Sequence, residues 1–375
     1  MPDIKQIWET HDMPSTRALH NILDRSGWDI SWSQTVHQLR DSLGMDISTY
    51  RRMRTGAVDV PDDAPSLAIV DHLSPSYAAM ESMITQDTQT WQREKERLSK
   101  LSRWVKLFDK GDEHYPYQDN AAIEVAAAIC QDFAPDVITD WSDLWDMSEF
   151  GRWEDANTAF QHIWGGDVRN LINTYAGNRA IWRDAAPNAV SLALPGNHDM
   201  RIFRALRTGA KNVADYTLDY FVRDIRQHGS LWFGWSEYYI ELSPGLVVLH
   251  GYHATKNIMT TIKNTMQRFG FQRSVVANHV HREGYYNMHG LDHDIQGWVS
   301  GCLCQLQPHY SPAPQDWNHG IVLGYYDPVS WHCALYNVRI MQIGSYYEAH
   351  WGDKAYRERL PGSVFAMPER LEDAA

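Results

Sequence analysis

Five short groups of polar residues in this chain have the types and spacing to hold metal ions. They are Asp112-Glu-His114, Asp140-Trp-Ser-Asp143-Leu-Trp-Asp146, Gly196-Asn197-His198-Asp199, His250, and Asn278-His279-Val-His281. In an extended segment residues i and i+2 point to the same side, so Asp112 with His114 can grip one ion, and so can His279 with His281. Taken singly each group is unspecific. Asp-x-His is a common tripeptide, and a lone histidine such as His250 is more often a buried, hydrogen-bonded side chain than a ligand. The joint pattern is specific, because all five follow a β-rich segment, and sites in open α/β sheets assemble at the carboxyl ends of strands.

The elements that must position these groups can be read from apolar spacing. Strands are expected over Lys106–Lys110, Asp136–Asp140, Ala189–Leu194, Tyr238–Leu242, Leu246–Leu249, Ser274–Ala277 and Ile321–Tyr326. A helix is expected over Asn120–Phe133, so strands and helices alternate in a mixed α/β domain at residues 105–345, with 346–375 as a C-terminal tail. Ahead of it, residues 1–57 read as a small all-α domain. Its three short helix patterns, with the Arg51-Arg52-Met-Arg54 cluster on the third, fit a helix-turn-helix arrangement or a small docking bundle equally well. Residues 58–76, with Pro61, Pro65 and Pro75, read as a linker. A long connecting helix follows at 77–104, with Tyr77, Ile84, Trp91, Leu98 and Val105 at seven-residue intervals. Asp87 and Glu94 interrupt its stripe; packing along the next domain is preferred over a dimer helix.

The five groups resemble the motif series of the calcineurin-like metallophosphoesterases, D-x-H, G-D-x-x-D, G-N-H-D/E, H and G-H-x-H. The likeness covers about Val105 to Tyr326, and the runs Gly301-Cys-Leu-Cys304 and Trp317-Asn-His-Gly320 look like a late segment of phage and bacterial members. Two glycines of the pattern are replaced, by Ser142 and by Asn278; asparagine tolerates left-handed backbone, so Asn278 can preserve a turn. The resemblance implies a four-layer αββα sandwich of two mixed sheets. It implies a binuclear centre in which Asp112, His114 and His281 hold one metal, Asn197, His250 and His279 the other, and Asp143 bridges both. Such a donor set, lacking thiolate, suits two divalent ions, Mn²⁺ first, with Fe, Zn²⁺ or Ni²⁺ as alternatives. A hydroxide between the metals would attack phosphorus, with His198 as general acid for the departing alkoxide. Asp146 would orient His198 and raise its pKa; the other reading of Asp146 is a helix N-terminal carboxylate.

Asp199 and Arg201 are expected to form a structural pair, and Arg282 is a candidate substrate contact. His253, His289, His293, His309, His319 and His332 are read as structural, and Cys302 and Cys304 as buried strand thiols.

Composition narrows the substrate. The chain has 375 residues and a formal charge of −13, which argues against broad coating of nucleic acid or anionic membrane. Residues 1–106 hold 13 basic and 15 acidic residues, and 107–375 hold 21 and 32, so the excess lies in the catalytic part. Asp146 is followed by Met147-Ser148, not by the arginine that the protein-phosphatase branch uses on a phosphate dianion, which favours diesters. The preferred reading is a phosphodiesterase acting on small nucleotide-type diesters. The alternative is a DNA or RNA nuclease that binds DNA through residues 15–54, and a non-catalytic DNA-binding protein ranks third. With four cysteines, no secretory signal and no run approaching the roughly 20 apolar residues of a membrane helix, a cytoplasmic setting in a bacterium or phage-infected cell is expected. Oligomeric state turns on the 77–104 helix.

Overall fold

A computed structural model describes residues 74–139, 143–146, 179–201, 218–234, 239–251, 254–289, 293–307 and 315–360. The helix-turn-helix-like segment, the linker up to residue 73, Ser142, His253 and His309 lie outside the described residues.

Two mixed sheets build the α/β domain. Among the described residues the first has eight strands: β1 (Val105–Asp109), β2 (Val137–Thr139), β3 (Val190–Ala193), β4 (Ser230–Trp232), β10 (His319–Tyr326), β11 (Cys333–Ile343), β12 (Tyr346–Trp351) and β13 (Lys354–Arg359). Their order is β13-β12-β11-β10-β1-β2-β3-β4. Strands β1 to β4 run parallel, and β10 pairs antiparallel with β1. The second sheet has β5 (Ile240–Ser243), β6 (Leu246–Leu249), β7 (Ser274–Ala277), β8 (Gly284–His289) and β9 (Asp294–Val299), in the order β5-β6-β7-β9-β8. Its central strands β6, β7 and β9 are parallel to one another.

The period-2 alternation of short apolar strands decides how the layers stack. Val105 and Leu107 of β1 share one cluster with Leu246 and Val248 of β6 and with Val276 of β7, so the two sheets pack face to face. The intervening residues face outward. Phe108 packs under helix α2 (Asn120–Phe133), while Val247, Leu249, Val275 and Ala277 pack under helix α4 (Ile258–Gln267). The layers thus run helix, sheet, sheet, helix. Both helices are capped by side-chain acceptors: Asp119 takes the Ala122 N–H, and Asn257 takes those of Met259 and Thr260. Among the described residues, no helix is long and apolar enough to cross a membrane.

Two expectations need correction. The tail placed at 346–375 is instead sheet through residue 359: β12 and β13 form a hairpin closed at Gly352, whose φ of 63° is the left-handed geometry a tight turn demands. The alternation across Tyr347, Ala349 and Tyr356, all buried, was the signal. The long helix, α1, spans Ser74–Ser99 and stops five residues short of the expected end. Trp91 and Leu98 join the intersheet cluster, which packs α1 along the domain.

Asp87, the apparent break in the apolar stripe of α1, is 3% exposed. Its carboxylate accepts the Trp232 N–H of β4 at 2.9 Å and the Arg226 Nε–H of helix α3 (Leu218–Gln227) at 3.1 Å. It therefore satisfies an edge strand that, among the described residues, has no further neighbour in the sheet. Asp87→Ala removes the acceptor of that N–H and of the Arg226 Nε–H and is expected to cost about 2 kcal/mol. A lower urea midpoint at constant m would report the loss.

Candidate metal centre

Parallel strands deliver the five groups to one edge of the sandwich. The loops after β1, β2 and β3 carry Asp112 and His114, Asp143 and Asp146, and Asn197 to Asp199. Those after β6 and β7 carry His250, His279 and His281. Backbone hydrogen bonds join the loops directly. His114 N–H donates to Asp143 O at 2.9 Å, Asn278 N–H to His250 O at 3.0 Å, and Leu303 N–H to Asp112 O at 2.7 Å.

The chain bends sharply to do this. His114, Asp143, His279 and His281 all have positive φ, between 33° and 79°, which L residues rarely adopt. Strain of this kind concentrates where side chains are aimed for a purpose. Asn278 is not among the positive-φ residues, so the turn-preserving role expected for it falls to His279 and His281 instead. The Asn278 side chain accepts a hydrogen bond from the Ser300 hydroxyl.

Two clusters result, with one carboxylate between them. In the first, His281 Nε2 lies 2.9 Å from Asp112 Oδ2 and 3.0 Å from His114 Nε2. In the second, His250 Nε2 lies 2.9 Å from Asn197 Oδ1, and the His250 and His279 rings are 5.0 Å apart. Asp143 Oδ2 stands 3.6 Å from His114 Nε2 and 3.5 Å from His250 Nε2. Asp112, His114, Asp143, His250 and His281 are all buried.

Charge follows from this crowding. Burial raises Asp112, but the His281 hydrogen bond and the surrounding imidazoles outweigh it and hold the carboxylate below its usual range. Burial likewise raises Asp143, and His250, His198 and His114 outweigh it and hold that carboxylate down. Burial and the charge of His250 push His279 down to about 4. Asp112 Oδ1 and the Nδ1 atoms of His250, His279 and His281 are buried with no hydrogen-bond partner among the described residues. Buried polar atoms are normally satisfied. A hard or borderline divalent cation would satisfy carboxylate oxygens and imidazoles together, so the residues fit the implied metals. Among the described residues, three groups of side chains could hold an ion: His114 with His281 and Cys304, His114 with Asp143 and His198, and Asp143 with His250 and His279.

Cys304 enters the first group without any signal from chain spacing. Burial and the adjacent Cys302 push its thiol well up. Cys302 and Cys304 are buried as expected, but they form isolated bridges to Asp112 and Gln118 and not a strand.

His198 has both ring nitrogens engaged. Nδ1 lies 2.8 Å from Asp146 Oδ1, and Nε2 lies 3.1 Å from Arg201 Nη2. Burial alone would lower its pKa, yet the Asp143 and Asp146 carboxylates outweigh that and raise it. Asp146 also takes the His114 Nδ1 at 2.9 Å, so one carboxylate orients a cluster histidine and His198 together.

The expected Asp199–Arg201 pair does not form, because residues i and i+2 at a helix start do not face each other. Asp199 instead accepts three backbone N–H groups, from Gly196, Trp145 and Leu144, tying the second and third loops. Arg201 donates to Asp146 O at 2.9 Å. The sequence lacks an arginine after Asp146, but this one reaches Asp146 and His198 from further along the chain. Arg282 lines the cavity over the centre, with its guanidinium spent on Thr255 O at 2.6 Å and Lys256 O at 2.9 Å. Of the histidines read as structural, His289 pairs with Asp294, His293 stacks on Trp331, and His332 bonds Ser330; His319 is buried beside Tyr347.

Gly196 has a steric reason. A Cβ there would fall 2.2 Å from Asp143 Oδ1 and 2.4 Å from Asp143 N. Gly196→Ala must push Asp143 aside, and Mn²⁺ affinity is expected to fall by at least about 10–100-fold, the loss typical of misoriented ligands. Calorimetric titration with Mn²⁺ would measure it.

No family model and no curated protein matches this sequence. Among solved structures it is similar to the crystal structure of TT1561 of Thermus thermophilus. The identity is 10%, with 63% of this chain and 99% of that chain covered, at a TM-score of 0.28. A likeness at that level carries no argument about activity.

Proposed function

We propose that the chain is a binuclear metal-dependent phosphodiesterase of the calcineurin-like metallophosphoesterase type, acting on small nucleotide-type diesters. The observation that carries this is Asp143 Oδ2, set 3.6 Å and 3.5 Å from histidines of two separate clusters. A single carboxylate so placed suits two ions, one held by Asp112, His114 and His281, the other by Asn197, His250 and His279. When bound, the ions supply positive charge for the phosphate and lower the pKa of a coordinated water.

The chain's own residues do the rest. His114 donates its Nδ1–H to Asp146, which leaves Nε2 with a lone pair facing the first cluster. His198 likewise donates Nδ1–H to Asp146, which leaves Nε2 to accept from Arg201 Nη2–H, and the proton to be donated is taken up on Nε2 in place of that bond. The two carboxylates favour holding that proton and the Arg201 charge favours its release, which suits donation to a departing alkoxide.

Diester selectivity is supported by how the guanidiniums are used. Arg201 and Arg282 both direct donors at protein acceptors, so neither offers a free bidentate fork to a phosphate dianion. A diester carries one negative charge and needs less. The nuclease alternative rests on residues 1–57, and the acidic balance of residues 107–375 opposes a long backbone.

The test is a substrate panel after chelation, with Mn²⁺, Zn²⁺, Fe²⁺ or Ni²⁺ added back. Bis-p-nitrophenyl phosphate and cyclic nucleotides should turn over faster than phosphomonoesters, and Mn²⁺ should restore activity best. Faster cleavage of linear or circular DNA or of RNA would transfer the assignment to the nuclease. Gel-shift binding of DNA with no phosphoester turnover under any metal would make the protein a non-catalytic binder.

A further inference from the structure

The cavity over the metal centre has a volume of about 470 Å³, far more than a bare phosphate needs. His114, Asp143, His198, His279 and His281 form its floor, and Lys256 and Trp317 line it beyond them. Trp317 is half-buried, and its ring meets that of His281 edge to face, with centroids 4.2 Å apart at 78°. Its position is fixed through the chain as well, since the next residue, Asn318, donates its N–H to His281 O at 2.9 Å. An indole is thus anchored directly against a proposed ligand while remaining open to the cavity. Lys256 is held on a rim whose carbonyls, Thr255 O and Lys256 O, are both pinned by Arg282.

We propose that Trp317 is a stacking platform for the base of the substrate, so that the enzyme selects phosphodiesters carrying a nucleobase over those that do not. It rests on the phosphodiesterase reading and names the part of the site that recognises the non-reacting half of the diester. An indole is a sequence-tolerant surface for any base, because every base presents a π face. The ammonium of Lys256 adds a compact, mobile positive charge for the substrate's anionic portion. Stacking acts on binding and not on the chemical step, so its effect belongs in KM.

The experiment compares two esters with the same leaving group: thymidine 5′-(p-nitrophenyl phosphate) and methyl p-nitrophenyl phosphate, with Mn²⁺. Wild type should prefer the nucleoside ester, through KM, by about 5–150-fold, the usual worth of one stacked base. Trp317→Leu should remove most of that preference, and Trp317→Phe should retain much of it. A wild-type enzyme that hydrolyses both esters with no preference overturns the platform while leaving the phosphodiesterase reading intact, as does a preference that survives in Trp317→Leu. If neither ester is hydrolysed, the phosphodiesterase reading fails by itself. Calorimetric binding of thymidine 5′-monophosphate then decides the platform: weaker binding to Trp317→Leu supports it, and equal binding overturns it.

Discussion

Replacing His198 with alanine is expected to slow hydrolysis of a diester with an alkoxide leaving group by about 10²–10⁴-fold, the usual worth of general acid catalysis. A diester that expels p-nitrophenolate should lose far less, because that anion is stable near neutral pH and departs without a proton. The contrast separates a proton donor from a residue that merely holds the loop. His198 N–H donates to Asp143 Oδ1 at 2.6 Å, a backbone contact that alanine keeps, so the metal cluster should survive the change. The side chain contributes the rest: an Nδ1 bond to Asp146, with Nε2 left beside Arg201. A 3′,5′-cyclic nucleotide and thymidine 5′-(p-nitrophenyl phosphate) make a suitable pair. Equal losses on the two would remove His198 from the proton transfer.

How much of this was legible in the sequence depended on whether a feature is local. Asn120–Phe133, Leu246–Leu249 and Ser274–Ala277 match their expected bounds to the residue, because each is a short apolar run ended by a cap or a turn. The nine candidate site residues meet at one edge because they follow parallel strands, a consequence of topology that strand order alone anticipates. Strands β4, β8, β9, β11, β12 and β13 were not foreseen; β8 alternates half-buried and exposed residues throughout and lacks an apolar run. Asp87 was misread for a different reason. A carboxylate inside an apolar stripe looks like a flaw until the strand it bonds is known, and that strand lies more than a hundred residues away. Arg201 was likewise assigned to its neighbour Asp199, when the geometry of a helix start sends the two side chains apart. Partners distant in sequence carry most of what was missed, and no spacing rule reports them.

Asp143→Asn should be the most damaging substitution, and its effect should appear in stability as well as in turnover. Asparagine keeps the shape and an oxygen that can still accept the His198 N–H, so the loop has no steric reason to move. What disappears is the negative charge between His114 and His250, the feature that would let two cations sit close together. Metal ions typically contribute several kcal/mol of transition-state stabilisation. At about 1.36 kcal/mol per tenfold, turnover should fall by at least about 10³-fold. The second readout is thermal. A ligand that binds only the folded state at about 100 times its Kd stabilises by about 2.7 kcal/mol, which for a domain of this size is a rise in Tm of about 5 °C or more. Wild type should show that rise on addition of Mn²⁺, and Asp143→Asn should show little of it. Because the thermal shift needs no substrate, it tests the bridging carboxylate independently of which diester is hydrolysed. Equal Mn²⁺-induced shifts in the two proteins would place the metals elsewhere and take the binuclear reading down with them.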